Sequence, residues 1–149
     1  MASIPEGFTT VTPHLMVDGA NKAIDLYQKA LNAELLGKLE APDGKVLHAA
    51  LKVGTSILFL SDPMPNVDRK PPKDGLSPVA FYLYVEDCDG AYAHAVEQGL
   101  KEVSKPEDMF WGDRTAVAQD EFGYNWTFAT HIRDVSPEEL EKMIQEMAG

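Results

Sequence analysis

The chain has 149 residues, 44% of them hydrophobic, enough to bury the core of one domain or of two fused halves. A formal net charge of −11 works against a nucleic-acid partner, which needs clustered Lys and Arg; the densest cationic group is only Arg69, Lys70 and Lys73. No apolar run approaches the roughly 20 residues of a membrane span. Met1–Gly7 lacks the regions of a signal peptide, and a single cysteine, Cys88, rules out an internal disulfide, so a cytoplasmic location is expected.

In chain order, a strand ending at Val17 runs through the turn Asp18-Gly19 into a predicted helix. Its apolar positions Ala20, Ala23, Ile24, Tyr27, Ala30 and Leu31 keep the spacing of one buried face. Pro42-Asp43-Gly44 reads as a hairpin turn. Strands are predicted over 46–53 and 56–60, separated by Gly54-Thr55. Residues 61–78 contain Pro63, Pro65, Pro71, Pro72 and Pro78 with Asp74-Gly75, a composition that suits a linker or loop.

A second strand ends at Val85 and is followed by Glu86-Asp87 and another helix, with Asp87 as N-cap and Gly99 just past the end. Strands over 114–119 and 125–130 flank the turn Asp120-Glu121-Phe122-Gly123, and 105–112 reads as a loop. Ser136-Pro137-Glu138-Glu139 opens a C-terminal helix to Glu146; Val135, Leu140, Met143 and Met147 form a stripe suited to docking on a surface or a partner chain.

The two strand–turn–helix pieces repeat. Val17 matches Val85, Ala23 matches Ala91 and Ile24 matches Tyr92 at an offset of 68, while Gly54 and Gly123 match at 69. The chain therefore divides into module one (1–62), a Pro-rich linker (63–78), module two (79–132) and a C-terminal helix (133–149), all in one structural domain.

The order and spacing of these stretches resemble the vicinal oxygen chelate superfamily, which includes glyoxalase I, bleomycin-resistance proteins and extradiol dioxygenases. Within it they are most similar to the PhnB-like branch. The resemblance is carried by Thr12-Pro13-His14-Leu15-Met16-Val17, Ala23-Ile24-Asp25-Leu26-Tyr27 and Pro42-Asp43-Gly44-Lys45. Leu83-Tyr84-Val85-Glu86-Asp87, Trp111-Gly112-Asp113-Arg114 and Asp120–Trp126 extend it. It implies an α+β fold of two tandem β-α-β-β-β modules whose curved mixed sheets surround a cavity, and a homodimer. It also implies four metal-ligand positions, which fall here on Thr12, Ala50, Ala80 and Thr127. None is His, Glu, Asp or Cys, so no cofactor is expected and a divalent metal is disfavoured.

His14 and His48 lie two residues from vacated positions, on the same strand faces. They are candidates for ligand anchors, for a general base, or for non-standard metal ligands; the plainer alternative is two satisfied polar side chains. Tyr82 and Tyr84 share a face with Ala80 and are candidates to stack on a ligand, against the commoner role of core filling. Trp111 and Arg114 suit an apolar wall with an anion clamp, against an Asp113–Arg114 pair that fixes the loop before them. Thr127 completes the expected ligand-binding set. His94 and His131 are expected at the surface, Trp126 and Phe128 under the helices, and Cys88 as a small buried residue.

Three functions compete. The first is metal-independent capture of a small molecule, anionic or aromatic, in the inter-sheet cavity. The second is a lyase, isomerase or dioxygenase-like enzyme that uses His14 or His48. The third is a protein-interaction module with a vestigial cavity, for which the methionines of the C-terminal helix are the only sign.

Overall fold

A computed structural model of the chain describes residues 3–72 and 75–149. Met1, Ala2, Lys73 and Asp74 lie outside the described residues, and with them Lys73 of the cationic group and Asp74 of the linker turn.

Module one runs β1 (His14–Met16), α1 (Ala20–Ala30), β2 (Glu34–Glu40), β3 (Val46–Val53) and β4 (Ser56–Ser61). Module two runs β5 (Phe81–Tyr84), α2 (Cys88–Glu97), β6 (Lys101–Asp108), β7 (Asp113–Gln119) and β8 (Asn125–His131). A terminal helix, α3 (Pro137–Ala148), follows. The modules form separate four-stranded mixed sheets in the orders β1-β4-β3-β2 and β5-β8-β7-β6. In each, the first strand pairs parallel with the last, and the other ladders are antiparallel. The α+β fold of two tandem modules with mixed sheets, which the resemblance implies, is the one observed.

Two strands escaped the sequence reading. β2 has Gly37 inside it and no fully buried residue; β6 reads Lys-Glu-Val-Ser-Lys-Pro-Glu-Asp and occupies part of the stretch expected to be a loop. Both are sheet edges, so their backbones are held by one neighbour and their side chains need no apolar alternation. Each also carries register shifts against its partner, which blurs any two-residue period.

The repeat extends to how the helices are capped. Gly19, the residue before α1, is left-handed and offers no side chain. Instead Asp62, just past β4, accepts the Gly19 and Ala20 N–H groups at 2.9 Å each and the Val46 N–H at 2.8 Å. Asp62 plus the offset of 68 is Thr130, whose Oγ1 accepts the Cys88 N–H at the start of α2 at 2.9 Å. There Asp87 adds the expected local cap by accepting the Gly90 N–H at 3.1 Å. In both modules the last strand therefore anchors the helix start.

The helix-facing sides of both sheets join in one core. Leu15, Leu51 and Leu60 of module one and Ala116, Trp126 and Phe128 of module two belong to the same buried cluster as α1 and α2. Asp120 fastens the modules: it accepts the Tyr27 hydroxyl at 2.6 Å and Trp126 Nε1 at 2.9 Å, with the N–H groups of Phe122 and Tyr124. The Tyr124 hydroxyl donates to the Met16 carbonyl at 2.8 Å. Because the core lies on the helix side, the opposite face of each sheet is turned outward.

Candidate functional site

The open face of module two holds a connected polar and aromatic cluster. Side chains alternate along β5, so Phe81 stacks on Trp126 in the core while Tyr82 and Tyr84 point to the open face. Antiparallel pairing sets Asp113 opposite His131, and Thr115 opposite Ala129, on that same face. Asp113 is only 2% exposed. Its Oδ2 accepts the Tyr82 hydroxyl at 2.7 Å and the Tyr84 hydroxyl at 2.9 Å. Its Oδ1 meets His131 Nδ1 at 2.9 Å, and His131 Nε2 reaches Asp134 Oδ1 at 2.7 Å.

Burial opposes ionisation of Asp113, but hydrogen bonds from His131, Tyr82 and Tyr84 outweigh it and hold its carboxyl below the usual range. The Asp134 and Asp113 carboxylates raise the His131 pKa. Burial, followed by the bond to Asp113, pushes the Tyr82 phenol up to about 12.

Trp111 completes the cluster, with Nε1 donating to the Tyr82 hydroxyl at 3.3 Å. The turn that carries it depends on Gly112, which has φ 105° and whose Cβ position would run into the Arg133 carbonyl. The Gly112 carbonyl accepts the Ile132 and Arg133 N–H groups at 2.9 and 3.2 Å. Trp111 is thereby held over the ends of β7 and β8. Thr127 lies on the same face, opposite Tyr82 and Val117.

Arg114 is not part of this arrangement. It follows Asp113 by one residue and so leaves from the other side of β7. Its Nε and Nη2 hold Asp89 at 2.7 and 3.0 Å, and its Nη1 holds Asp108 at 2.9 Å. The guanidinium ties α2 to β6, and the anion clamp expected there does not form. His131 is exposed as expected, but its pairing with Asp113 went unread.

Module one presents a second cluster. His14 and His48 share the open face with Phe59, with ring centroids 6.1 Å apart for His14–His48 and 4.4 Å for His48–Phe59. His14 Nε2 bonds Ser61 Oγ at 3.0 Å. Burial foremost, then Arg69 and His48, lowers the His14 pKa, so the ring is neutral at pH 7.

The register corrects one family-derived position. Tyr82 pairs with Thr127, and its repeat partner His14 pairs with Phe59. The module-one counterpart of Thr127 is thus Phe59 on β4, whereas Ala50 sits on β3, across from it. Phenylalanine supplies no donor either. Among the described residues no three His, Cys, Asp or Glu side chains converge, so the residues within one chain do not fit a divalent metal.

An open cleft of about 910 Å³ lies between the modules, walled by Tyr82 and Tyr84 on one side and by Leu31, Lys52 and Thr55 on the other. Its size suits a small molecule. His94, expected at the surface, lines it half-buried and joins the helices through Nε2 to the Lys29 carbonyl at 2.7 Å. Cys88 is buried, its thiol pKa is raised by burial, and its Sγ faces the Phe128 carbonyl at 3.2 Å. That is an inert setting.

The model of the Glyoxalase/Bleomycin resistance protein/Dioxygenase superfamily matches residues 8–128. The chain belongs to this superfamily. The uncharacterised protein Mb0911c of Mycobacterium bovis is 38% identical over 135 residues, covering 88% of this chain and 89% of that one. Among solved structures, TioX from Micromonospora sp. ML1 is similar with a TM-score of 0.69 and 22% identity, over 83% of this chain and 99% of that one. The PhnB protein from Bacillus cereus, described as a possible 3-demethylubiquinone-9 3-methyltransferase, has a TM-score of 0.64 and 14% identity, over 82% and 99%. At these identities both structures speak to the fold alone. No helix among the described residues is long and apolar enough to cross a membrane.

Proposed function

We propose that this chain is a metal-independent binding protein of its superfamily, in the PhnB-like branch, that captures a small aromatic molecule on the open face of module two. The observation that carries this reading is the set Tyr82, Tyr84 and Trp111. Their rings stand open to solvent while their polar atoms are locked, directly or through one another, to the buried Asp113 carboxylate. Rings fixed before a ligand arrives lose little freedom on binding, which favours capture. The absence of ligand-type side chains at Thr12, Phe59, Ala80 and Thr127 supports the metal-free part.

The reading includes a homodimer. Leu39 and Met147 are 63% and 62% exposed, and a second copy laid over them would cover apolar surface of this kind. Both parts are tested on one preparation purified without chelator. Sedimentation is expected to give a dimer, and elemental analysis well under one metal per chain. Near-stoichiometric Zn, Ni, Mn or Fe would overturn the metal-free reading, and a monomer the assembly.

A catalytic reading rests on His14, the neutral imidazole beside His48. It replaces capture if a turned-over substrate is found whose conversion, but not affinity, is lost in His14→Ala.

A further inference from the structure

The donors of the module-two cluster are spent inside it. The Tyr82 and Tyr84 protons both go to Asp113 Oδ2, and the Trp111 N–H goes to the Tyr82 oxygen. Both ring nitrogens of His131 face carboxylates. What the cluster offers outward is therefore acceptors and ring faces. The Tyr84 oxygen has its proton committed, no donor among the described residues reaches it, and the residue is 67% exposed. The Asp134 carboxylate is fully open. Glu107 joins the same row, since it is paired with Thr115, which is paired with Ala129, the partner of Tyr84.

Charge points the same way. Asp113, Asp134 and Glu107 bring three carboxylates to this face, against at most one positive charge on His131. Of the two arginines beside the cluster in sequence, Arg114 faces the other side of the sheet and is held by two carboxylates, and Arg133 donates through Nη2 to the Phe110 carbonyl at 3.3 Å. Across the cleft, Lys52 sits opposite Glu34 in the β2–β3 register. An aromatic face with more carboxylates than cations, whose phenol and indole protons are spent internally, attracts positive charge to its rings and N–H groups to its oxygens.

We infer that this face selects a planar aromatic cation or protonated aromatic amine over a neutral or anionic molecule of the same shape. The inference rests on the capture reading and deepens it by naming the ligand class.

The protein carries its own reporter. Trp111 is 39% exposed at the face, while Trp126 is fully buried, so quenching that disappears in Trp111→Phe locates binding there. The probes are 4-aminoquinoline, which is cationic at neutral pH, neutral quinoline, and anionic quinoline-4-carboxylate, titrated against the full chain by calorimetry and fluorescence. The cation is expected to bind about ten-fold more tightly than the anion. Two exposed, conservative changes, Tyr84→Phe and Asp134→Asn, should each narrow that ratio. Equal affinity for all three probes, or a tighter anion, overturns the selectivity and leaves capture standing. No binding by any of them overturns capture and the inference together.

Discussion

At the scale of single residues, Asp113 holds the module-two cluster together. Its partner His131 lies 18 positions away, and nothing local in the sequence marks the two as a pair. Only the antiparallel register of β7 and β8, which sets Asp113 opposite His131, joins them. Tyr82 and Tyr84 were legible as a pair on one face because two-residue alternation needs no partner strand. Arg114 was misassigned for the same reason: its side of β7 follows from alternation, but its partners Asp89 and Asp108 come from α2 and β6. The pairing can be tested by titration. The His131 pKa is raised by Asp134 and Asp113, so its bonds stabilise the fold below the ordinary histidine value of about 6.5. That contribution fades as pH rises through the folded-state pKa. In wild-type protein NMR should find His131 titrating above the ordinary value, and Asp113→Asn should move it down. An unmoved His131 in Asp113→Asn would contradict the pair.

Among the elements, those that bury a face were legible and those that do not were missed. α1 showed its helical period because Ala20, Ala23, Ile24, Tyr27 and Ala30 are all buried. α3 showed through its cap, and Ser136 does accept the Glu139 N–H at 3.1 Å, yet none of its residues is buried in the single chain. β2 and β6 bury almost nothing and exist through their ladders, which composition does not record. The start of α1 makes a sharper case. Asp18 stands beside it in sequence, but the helix start is capped by Asp62, just past β4. Burial opposes the charged form of Asp62, and three backbone N–H groups outweigh it and keep its pKa low. Its contribution is therefore present at neutral pH and lost as acid titrates it. Asp62→Ala should cost about 2 kcal/mol in urea unfolding at pH 7, with a smaller loss in acid. A loss of the same size at pH 7 in Asp18→Ala, with Asp62→Ala silent, would show that the local residue is the cap.

For the whole molecule, the duplication explains both what was legible and what was not. One offset placed two helices, their turns and the strands after them, and it also relates Asp62 to Thr130 as anchors. It did not reveal that the modules join through their helix sides, fastened by Asp120 to Tyr27 and by Tyr124 to Met16. These contacts break the repeat, because at the offset of 68 Asp120 falls on Lys52 and Tyr27 on Ala95, which cannot make them. Turning the helix sides inward leaves both open faces outward: a histidine and phenylalanine face on one module, a tyrosine, tryptophan and carboxylate face on the other. Among the described residues neither face gathers three donors for a divalent metal, and the capture proposed above rests on aromatic faces and acceptors. The most direct test is the affinity of 4-aminoquinoline measured by calorimetry on the same protein before and after exhaustive chelation. Metal-free capture predicts the same dissociation constant in both titrations. An affinity that disappears on chelation and returns with a divalent metal would contradict it.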